Sequence, residues 1–463
     1  MQERGTWLGE ATEDSNEAMD FIKELEQIFV NTPNFLRPQN TIFRLLERTN
    51  EWRTFRRLVE RPWFSRIWVV QEVALASKAS ILCDGEQMDW HRFARVMEEL
   101  DRQSLGALLL PQDGVGVLQT TVMPIGWPSI RKIQAARNTT TRKELLSLEK
   151  TINLFVGFNA TDPRDKVFAI LGIVEDRDDE AWQPDYRKPV EKLYEEVTEN
   201  MMWKEESLGL LSSAGIGGNR AIEGLPSWVP DYYVTTGAVP FRGGAAGGQS
   251  SLCSFSFHLS LQGPKELHVR GRVLSPLLEL GPLHEVSRVS TTGTKRTDFF
   301  TWYLDTAKIF CKPEAETQFW RALVANQFRA PENIDPYPDE DWFLSCFESF
   351  KDIFQQVYNS TLPAMEQLYN AREVGKAQAF RNPMIVGTLG RRMCRTELDF
   401  GNKSEGRLGL VPRGAEAGDL VCVINGVNVP FIVRRMGLHE NAGNEEYKVV
   451  GECYIHGLAE GEA

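Results

Sequence analysis

The chain has 463 residues, 42% of them apolar and 25% charged, enough for two or three domains with buried cores and unlike a disordered chain. Its net charge of −12 is spread along the whole length, with no basic stripe to neutralise phosphates, so nucleic acid is not an expected partner. The polar, acidic opening MQERGTWLGEATEDSNEAMDF has no export-signal pattern, and apolar runs such as Leu420 to Ile424 fall far short of the roughly 20 residues that span a bilayer.

In chain order, Ser15 to Phe29 carries apolar residues at Ala18, Met19, Ile22, Leu25 and Phe29, the spacing of one helical face, with Ser15 placed to cap it. The segment ERPWFSRIWVVQEVALASKASILCDGEQMDW follows. Pro62 can open a helix there, with Phe64, Ile67, Trp68 and Leu75 on one buried side. Ala79 to Cys83 reads as a strand closed by the Asp84-Gly85 turn, which makes an α/β unit. From Asp101 to Thr141, glycines and prolines interrupt any period, and an irregular insertion with short helical pieces is expected. Thr141-Arg142-Lys143-Glu144 fits a capping box leading a helix toward Phe155. In ATDPRDKVFAILGIV, Asp162 can cap a helix, Pro163 suits its first position, Asp165 suits the positive end of its dipole, and Gly172 can close it. A further helix from Pro189 aligns Val190, Leu193, Tyr194, Val197 and Met201.

FRGGAAGGQSS, Phe241 to Ser251, reads as a linker beside a domain boundary. LHVRGRVL has strand character, while Thr297 to Arg329 and Asp341 to Leu368 have helical spacing. Near the end, DLVCVI and VNVPFIVRR flank Asn425-Gly426, a hairpin signal. MIVGTL, RLGLVP and YKVVGECYIHG add candidate strands for a small barrel or two-layer sheet. The expected divisions are 1–100 (α/β), 101–240 (helical, with the irregular insertion), 241–375 (mixed linker and helical) and 376–463 (β-rich).

Most searches for chemistry return nothing. There is no Walker loop, Gly215-Ile216-Gly217-Gly218 does not match a dinucleotide fingerprint and reads as a loop, and no G-x-S-x-G elbow exposes a serine. The six histidines are scattered without metal-ligand spacing, so neither a metal nor a cofactor is expected. Seven cysteines without a C-x-x-C pair suit a reducing compartment, hence a cytoplasmic location. What remains is Trp68 and Glu72, four residues apart on one helical face. An indole can pack on a cationic heterocycle, and a carboxylate can orient a ribose hydroxyl or stabilise oxocarbenium-like charge. The alternative is structural, with Trp68 in the core and Glu72 paired to a nearby arginine. Arg164 and Asp165 likewise fit a helix start, Asp185-Tyr186 a turn, and Trp228 with Pro230 a packed loop.

RPWFSRIWVVQEVALASKASILCDG resembles the signature at the end of the fungal heterokaryon-incompatibility (HET) domain, and TWLGEATEDSNEAMDFI resembles the segment before it. ATDPRDKVFAILGIV, QPDYRKPVEKLYEEV, LPSWVPDYYV, GLVPRGAEAGDLVCVINGVNVPFIVRR and YKVVGECYIHGLAEGE agree with long members of the same group. The Ser-x-Trp-Gly loop and Cys-Ile-Asn-Gln helix of the family are not found before Thr6, so the resemblance implies an N-terminally incomplete copy: an α/β remnant of a TIR-like HET domain, a helical middle and a β-rich C-terminal module. It also implies a role in non-self recognition and programmed cell death. HET domains are similar to TIR domains, several of which cleave the nicotinamide bond of NAD with a glutamate at a Trp-x-x-x-Glu spacing. That likeness makes Glu72 the candidate catalytic carboxylate, Trp68 its substrate-binding neighbour and NAD the candidate substrate. A third reading is a non-catalytic interaction module whose partner is a HET-family or signalling protein, or a second copy.

Overall fold

The computed structural model describes residues 3–7, 14–32, 41–83, 85–102, 105, 126–175, 177, 182–234, 238, 240–241, 258–259, 266–285, 298–325, 340–359, 371–397, 406–438 and 445–458, and the chain divides into two compact units, 1–188 and 189–463.

The first unit opens with strand β1 (Glu3–Trp7) and helix α1 (Ser15–Leu25), which runs on as a π-helical turn, Glu26–Asn31. Next come α2 (Thr41–Leu46), α3 (Thr49–Val59), a 3-10 turn at Pro62–Ser65 and α4 (Ile67–Ala74). Strands β2 (Lys78–Cys83) and β3 (Glu86–Asp89) precede α5 (Trp90–Arg102), α6 (Gly126–Arg142), α7 (Leu148–Phe155) and the short α8 (Asp165–Phe168). β1 pairs in parallel with β2, Glu3 opposite Lys78 and Trp7 opposite Leu82. A parallel pair needs a crossover, and the helices from α1 to α4 supply it. β2 then turns through Gly85, at φ +79°, to pair antiparallel with β3. Ala79, Ile81 and Cys83 point into the core, alternating as a half-buried strand should. Phe21 of α1 meets Trp52 and Phe55 of α3 edge-on, at ring-centroid distances of 5.0 and 6.3 Å.

Several local expectations are corrected. Asp14 occupies the cap position of α1, and Ser15 lies inside the helix, its hydroxyl accepting from Arg61 at 2.8 Å. Thr141 does not cap a following helix: it ends α6, its hydroxyl donating back to the Arg137 carbonyl at 2.8 Å, and α7 starts after Ser147. The stretch from 126 to 142 is one continuous helix. Its glycine and proline do not interrupt it, because Pro128 falls in the first turn, where no main-chain N–H is needed. Gly126 sits where a Cβ would strike the Val59 carbonyl. Residues 106–125 of the expected insertion lie outside the described residues. The helix expected over ATDPRDKVFAILGIV is only α8 followed by a 3-10 turn, Leu171–Ile173, with Gly172 inside that turn.

The second unit begins with α9 (Val190–Glu205), whose Leu193, Tyr194, Val197 and Met201 are buried as their spacing predicts. A small antiparallel pair, β4 (His258–Leu259) and β5 (Leu267–His268), precedes the long β6 (Gly271–Leu283). Four helices follow, α10 (Asp298–Phe310), α11 (Glu316–Leu323), α12 (Glu340–Asn359) and α13 (Ala371–Thr388). MIVGTL was expected as a strand, but most of it forms the end of α13. Ala377, Phe380 and Met384 share the buried face, and Phe380 packs against Phe347 and Phe350 of α12 at 5.1 and 5.4 Å. The remaining strands are β7 (Arg391–Thr396), β8 (Leu408–Pro412), β9 (Leu420–Ile424), β10 (Phe431–Leu438), β11 (Glu445–Glu452) and β12 (Tyr454–Ile455).

These strands form one antiparallel sheet in the order β11-β10-β9-β6-β7-β8-β12. Its two ends, β11 and β12, are separated in sequence by Cys453 alone, so the sheet closes on itself as a small barrel. The expected hairpin at Asn425-Gly426 is β9–β10, with Gly426 at φ +85° and Phe431 opposite Cys422. Leu277, Cys394, Val411, Val421, Ile432, Val450 and Ile455 fill the interior. β6 belongs to this barrel although four helices separate it from β7. The loop 214–217 lies along β11, Ile216 and Gly217 donating to the Val449 and Val450 carbonyls at 2.9 and 2.7 Å, and Ile216 packs against the core. A Cβ on Gly217 would come within 2.6 Å of the Val450 oxygen, so glycine serves close approach there rather than nucleotide binding.

Candidate functional site

Helix α4, IWVVQEVA, carries both residues singled out by the sequence. Ile67, Val69, Val70, Val73 and Ala74 are buried, whereas Trp68, Gln71 and Glu72 are half-buried and Leu75, just past the helix, is 42% exposed. Positions 68, 71, 72 and 75 form one helical stripe, so Trp68 and Glu72 share a face as their spacing requires. That face is partly covered, Gln71 packing on Gly172, and only Leu75 at its end is exposed. Trp68 and Leu75 therefore do not lie on the buried side with Phe64 and Ile67, and among the described residues Glu72 has neither a hydrogen bond nor an ion pair.

Three polar groups fix the helix. At its start, the Ile67 N–H donates to the Asn159 carbonyl at 2.9 Å, and the Asn159 side-chain amide donates to the Ser65 hydroxyl at 3.0 Å. In the middle, the Gln71 side-chain oxygen accepts from the Gly172 N–H at 3.2 Å. A Cβ on Gly172 would meet that oxygen at 2.8 Å. At the end, the Arg137 guanidinium of α6 donates to the carbonyls of Val73 and Ala76, the latter at 2.8 Å. A cation satisfying orphan carbonyls also complements the negative pole of the helix. Burial holds the Arg137 guanidinium below its ordinary pKa, with Asp89 opposing that shift. Arg137 falls in the window the sequence presents as irregular, and Gln71 shows no motif, so neither role could be read from the pattern.

A second polar cluster joins residues that look unrelated in sequence. Arg164 pairs with Asp162 at 2.8 Å and donates to the Tyr186 and Lys188 carbonyls, while the Tyr186 hydroxyl donates to Asp165 at 2.6 Å. Burial and Asp165 push the Tyr186 phenol up to about 12. Asp162 is a turn residue here rather than a helix cap, accepting from the Arg164 N–H at 3.0 Å. In the second unit, Asp231 of LPSWVPDYYV accepts from the Ala221 and Ile222 N–H groups at 2.6 and 3.0 Å, which makes that segment a packed, hydrogen-bonded loop. Among the described residues no group of three His, Cys, Asp or Glu side chains is placed to hold a metal, and no helix is long and apolar enough to cross a membrane. The six described cysteines are free thiols.

An α/β segment carrying α4 and a closed C-terminal barrel define the class. Residues 4–72 match the heterokaryon incompatibility protein (HET) family and residues 344–463 match the Het-6 beta-barrel domain, so the chain carries a segment of each. It is similar to heterokaryon incompatibility protein 6, OR allele, of Neurospora crassa, at 23% identity in an alignment covering 98% of this chain and 76% of that protein. No solved structure matches.

Proposed function

We propose that this chain acts in heterokaryon incompatibility, taking part in the non-self recognition and programmed cell death that follow fusion of unlike fungal cells. The observation that carries this reading is the pairing, in one chain, of a HET segment at 4–72 with a Het-6 barrel at 344–463, in a protein aligned nearly end to end with an incompatibility protein. The test is expression in a compatible fungal host, with viability after hyphal fusion scored by dye exclusion. Expression of the chain should lower survival at least tenfold against an empty vector. Unchanged survival at confirmed protein level, in every allelic background tried, would remove the reading. The role places the chain in the cytoplasm, with a HET-family or signalling protein as partner.

The half-buried Glu72, unpaired among the described residues and on the same stripe as Trp68, favours a second reading in which α4 serves NAD hydrolysis. The bond between the ribose C1′ and the nicotinamide nitrogen breaks, nicotinamide leaves with the electron pair, and water adds to C1′ with release of a proton. A carboxylate near C1′ stabilises the oxocarbenium-like charge, and the indole offers a face to the cationic ring. Purified protein should release nicotinamide from NAD, and Glu72→Gln should abolish release without changing the melting temperature. Equal release by both proteins would exclude Glu72 as the catalytic group.

A further inference from the structure

Four glycines from three stretches of the second unit meet between β11 and the end of β8. Among the described residues no ladder joins these two strands, and the segment 214–217 fills the gap between them. Ile216 and Gly217 donate to the Val449 and Val450 carbonyls on the β11 side, and on the other side the Gly217 carbonyl accepts the N–H of Gly414, just past β8, at 2.9 Å. A Cβ on Gly217 would strike both rims at once, 2.6 Å from the Val450 oxygen and 2.8 Å from the Pro412 Cβ. One on Gly215 would lie 2.3 Å from the same Val450 oxygen, one on Gly414 2.8 Å from the Gly217 Cα, and one on Gly451 2.8 Å from the Pro412 Cγ. The gap therefore takes bare backbone and nothing wider. The Val449 N–H, too, is met from outside the strands, by the Ser227 hydroxyl at 3.1 Å.

The segment is tied differently from the strand beside it. β11 is held by its ladder to β10 and by Glu452 at its end, which pairs with Arg391 of β7 at 2.8 Å, both side chains buried. The segment's anchor in the core is Ile216, itself only partly buried, and its flanks at Ser213, Gly218 and Asn219 are exposed. Just ahead of it come α9 and a 3-10 turn, Gly209–Ser213, so the helical part of the unit takes hold of the barrel at this seam.

We propose that residues 214–217 form a latch across the barrel seam, closing it while in place and able to leave it while the strands stay folded. Release breaks the three main-chain hydrogen bonds and the Ile216 contact, and it bares the Val449 and Val450 carbonyls as an edge open to pairing.

The test is hydrogen exchange on the full chain, read residue by residue by mass spectrometry. The amides of Ile216, Gly217 and Gly414 should exchange at one common rate, roughly tenfold or more above that of the β9–β10 hairpin. Gly217→Ala crowds both rims at a position whose backbone lies outside the left-handed region, and it should speed the Ile216 and Gly414 amides a further tenfold or so while the hairpin keeps its rate. Gly218→Ala, with open space around the new methyl, should change none of them. Exchange of the three amides only in step with the hairpin would make the segment a fixed part of the barrel and overturn the proposal. So would a Gly217→Ala chain that exchanges like Gly218→Ala, and so would one that does not fold.

Discussion

In the C-terminal module, main-chain pairing runs unbroken through seven strands from β11 to β12, and the chain itself joins these two ends at Cys453. Around α4 the sheet has three strands, and the helix is held by side chains that reach main-chain groups: Gln71, Arg137 and Asn159. The contrast concerns where position comes from. A seven-stranded ladder distributes it over many equivalent bonds, so a charge pair can be buried within the module without deciding the fold. An open sheet leaves it to a few named groups, and the orientation of the Trp68–Glu72 stripe depends on them.

The severest test of the barrel is Arg391→Ala, which strands Glu452 as an uncompensated buried charge. Breaking such a pair costs about 3–5 kcal/mol, to be read as a shift in urea midpoint. Next comes pH. Burial pushes the His284 imidazole down from 6.5 to about 4, where it shares a hydrogen bond of 2.8 Å with the Thr388 hydroxyl and stacks on Trp302. The unfolded chain therefore takes up a proton before the folded one does. Stability contributed by the neutral ring is whole above about pH 6.5 and is lost as pH falls toward 4, by an amount on the order of 3 kcal/mol. His284→Gln should flatten that part of the profile, and an unaltered slope would assign the pH dependence to other groups.

Effects in the α4 region should be smaller and single-sited. Arg137→Ala leaves the carbonyls of Val73 and Ala76 without their donor and should cost about 1–3 kcal/mol, checked by thermal melting. Hydrogen exchange should quicken at the end of α4 and leave the barrel unchanged. The smallest effect is expected at Glu72: with no ion pair among the described residues, Glu72→Gln should move stability by less than about 0.5 kcal/mol. A larger loss would show a structural role for the carboxylate.

The elements legible in the sequence are those whose signal is local. Asn425-Gly426 between two apolar runs marks β9–β10, and the period from Pro189 marks α9, because a turn type or a helical face is written within a dozen residues. Helix α6 was hidden by Gly126 and Pro128, which look like interruptions until Pro128 is seen in the first turn and Gly126 against the Val59 carbonyl. MIVGTL has the β-branched content of a strand, yet packing against α12 decides otherwise. At the candidate site, spacing placed Trp68 and Glu72 together but could not say which way their face looked. That depends on which of two adjacent stripes the neighbouring helices cover. Barrel closure was beyond reach for a different reason: β6 and β7 are neighbours in space, while Leu283 and Arg391 stand more than a hundred positions apart.

The step through Cys453 makes the last strands do two jobs, since the chain that pairs with β10 goes on to pair with β8. A stop codon ahead of Glu445 would remove one short length of polypeptide and leave two raw strand edges, on β10 and on β8, each able to template association with a neighbouring molecule. A frameshift in the codons ahead of β11 would act as a loss of the whole module rather than a trimming of one strand.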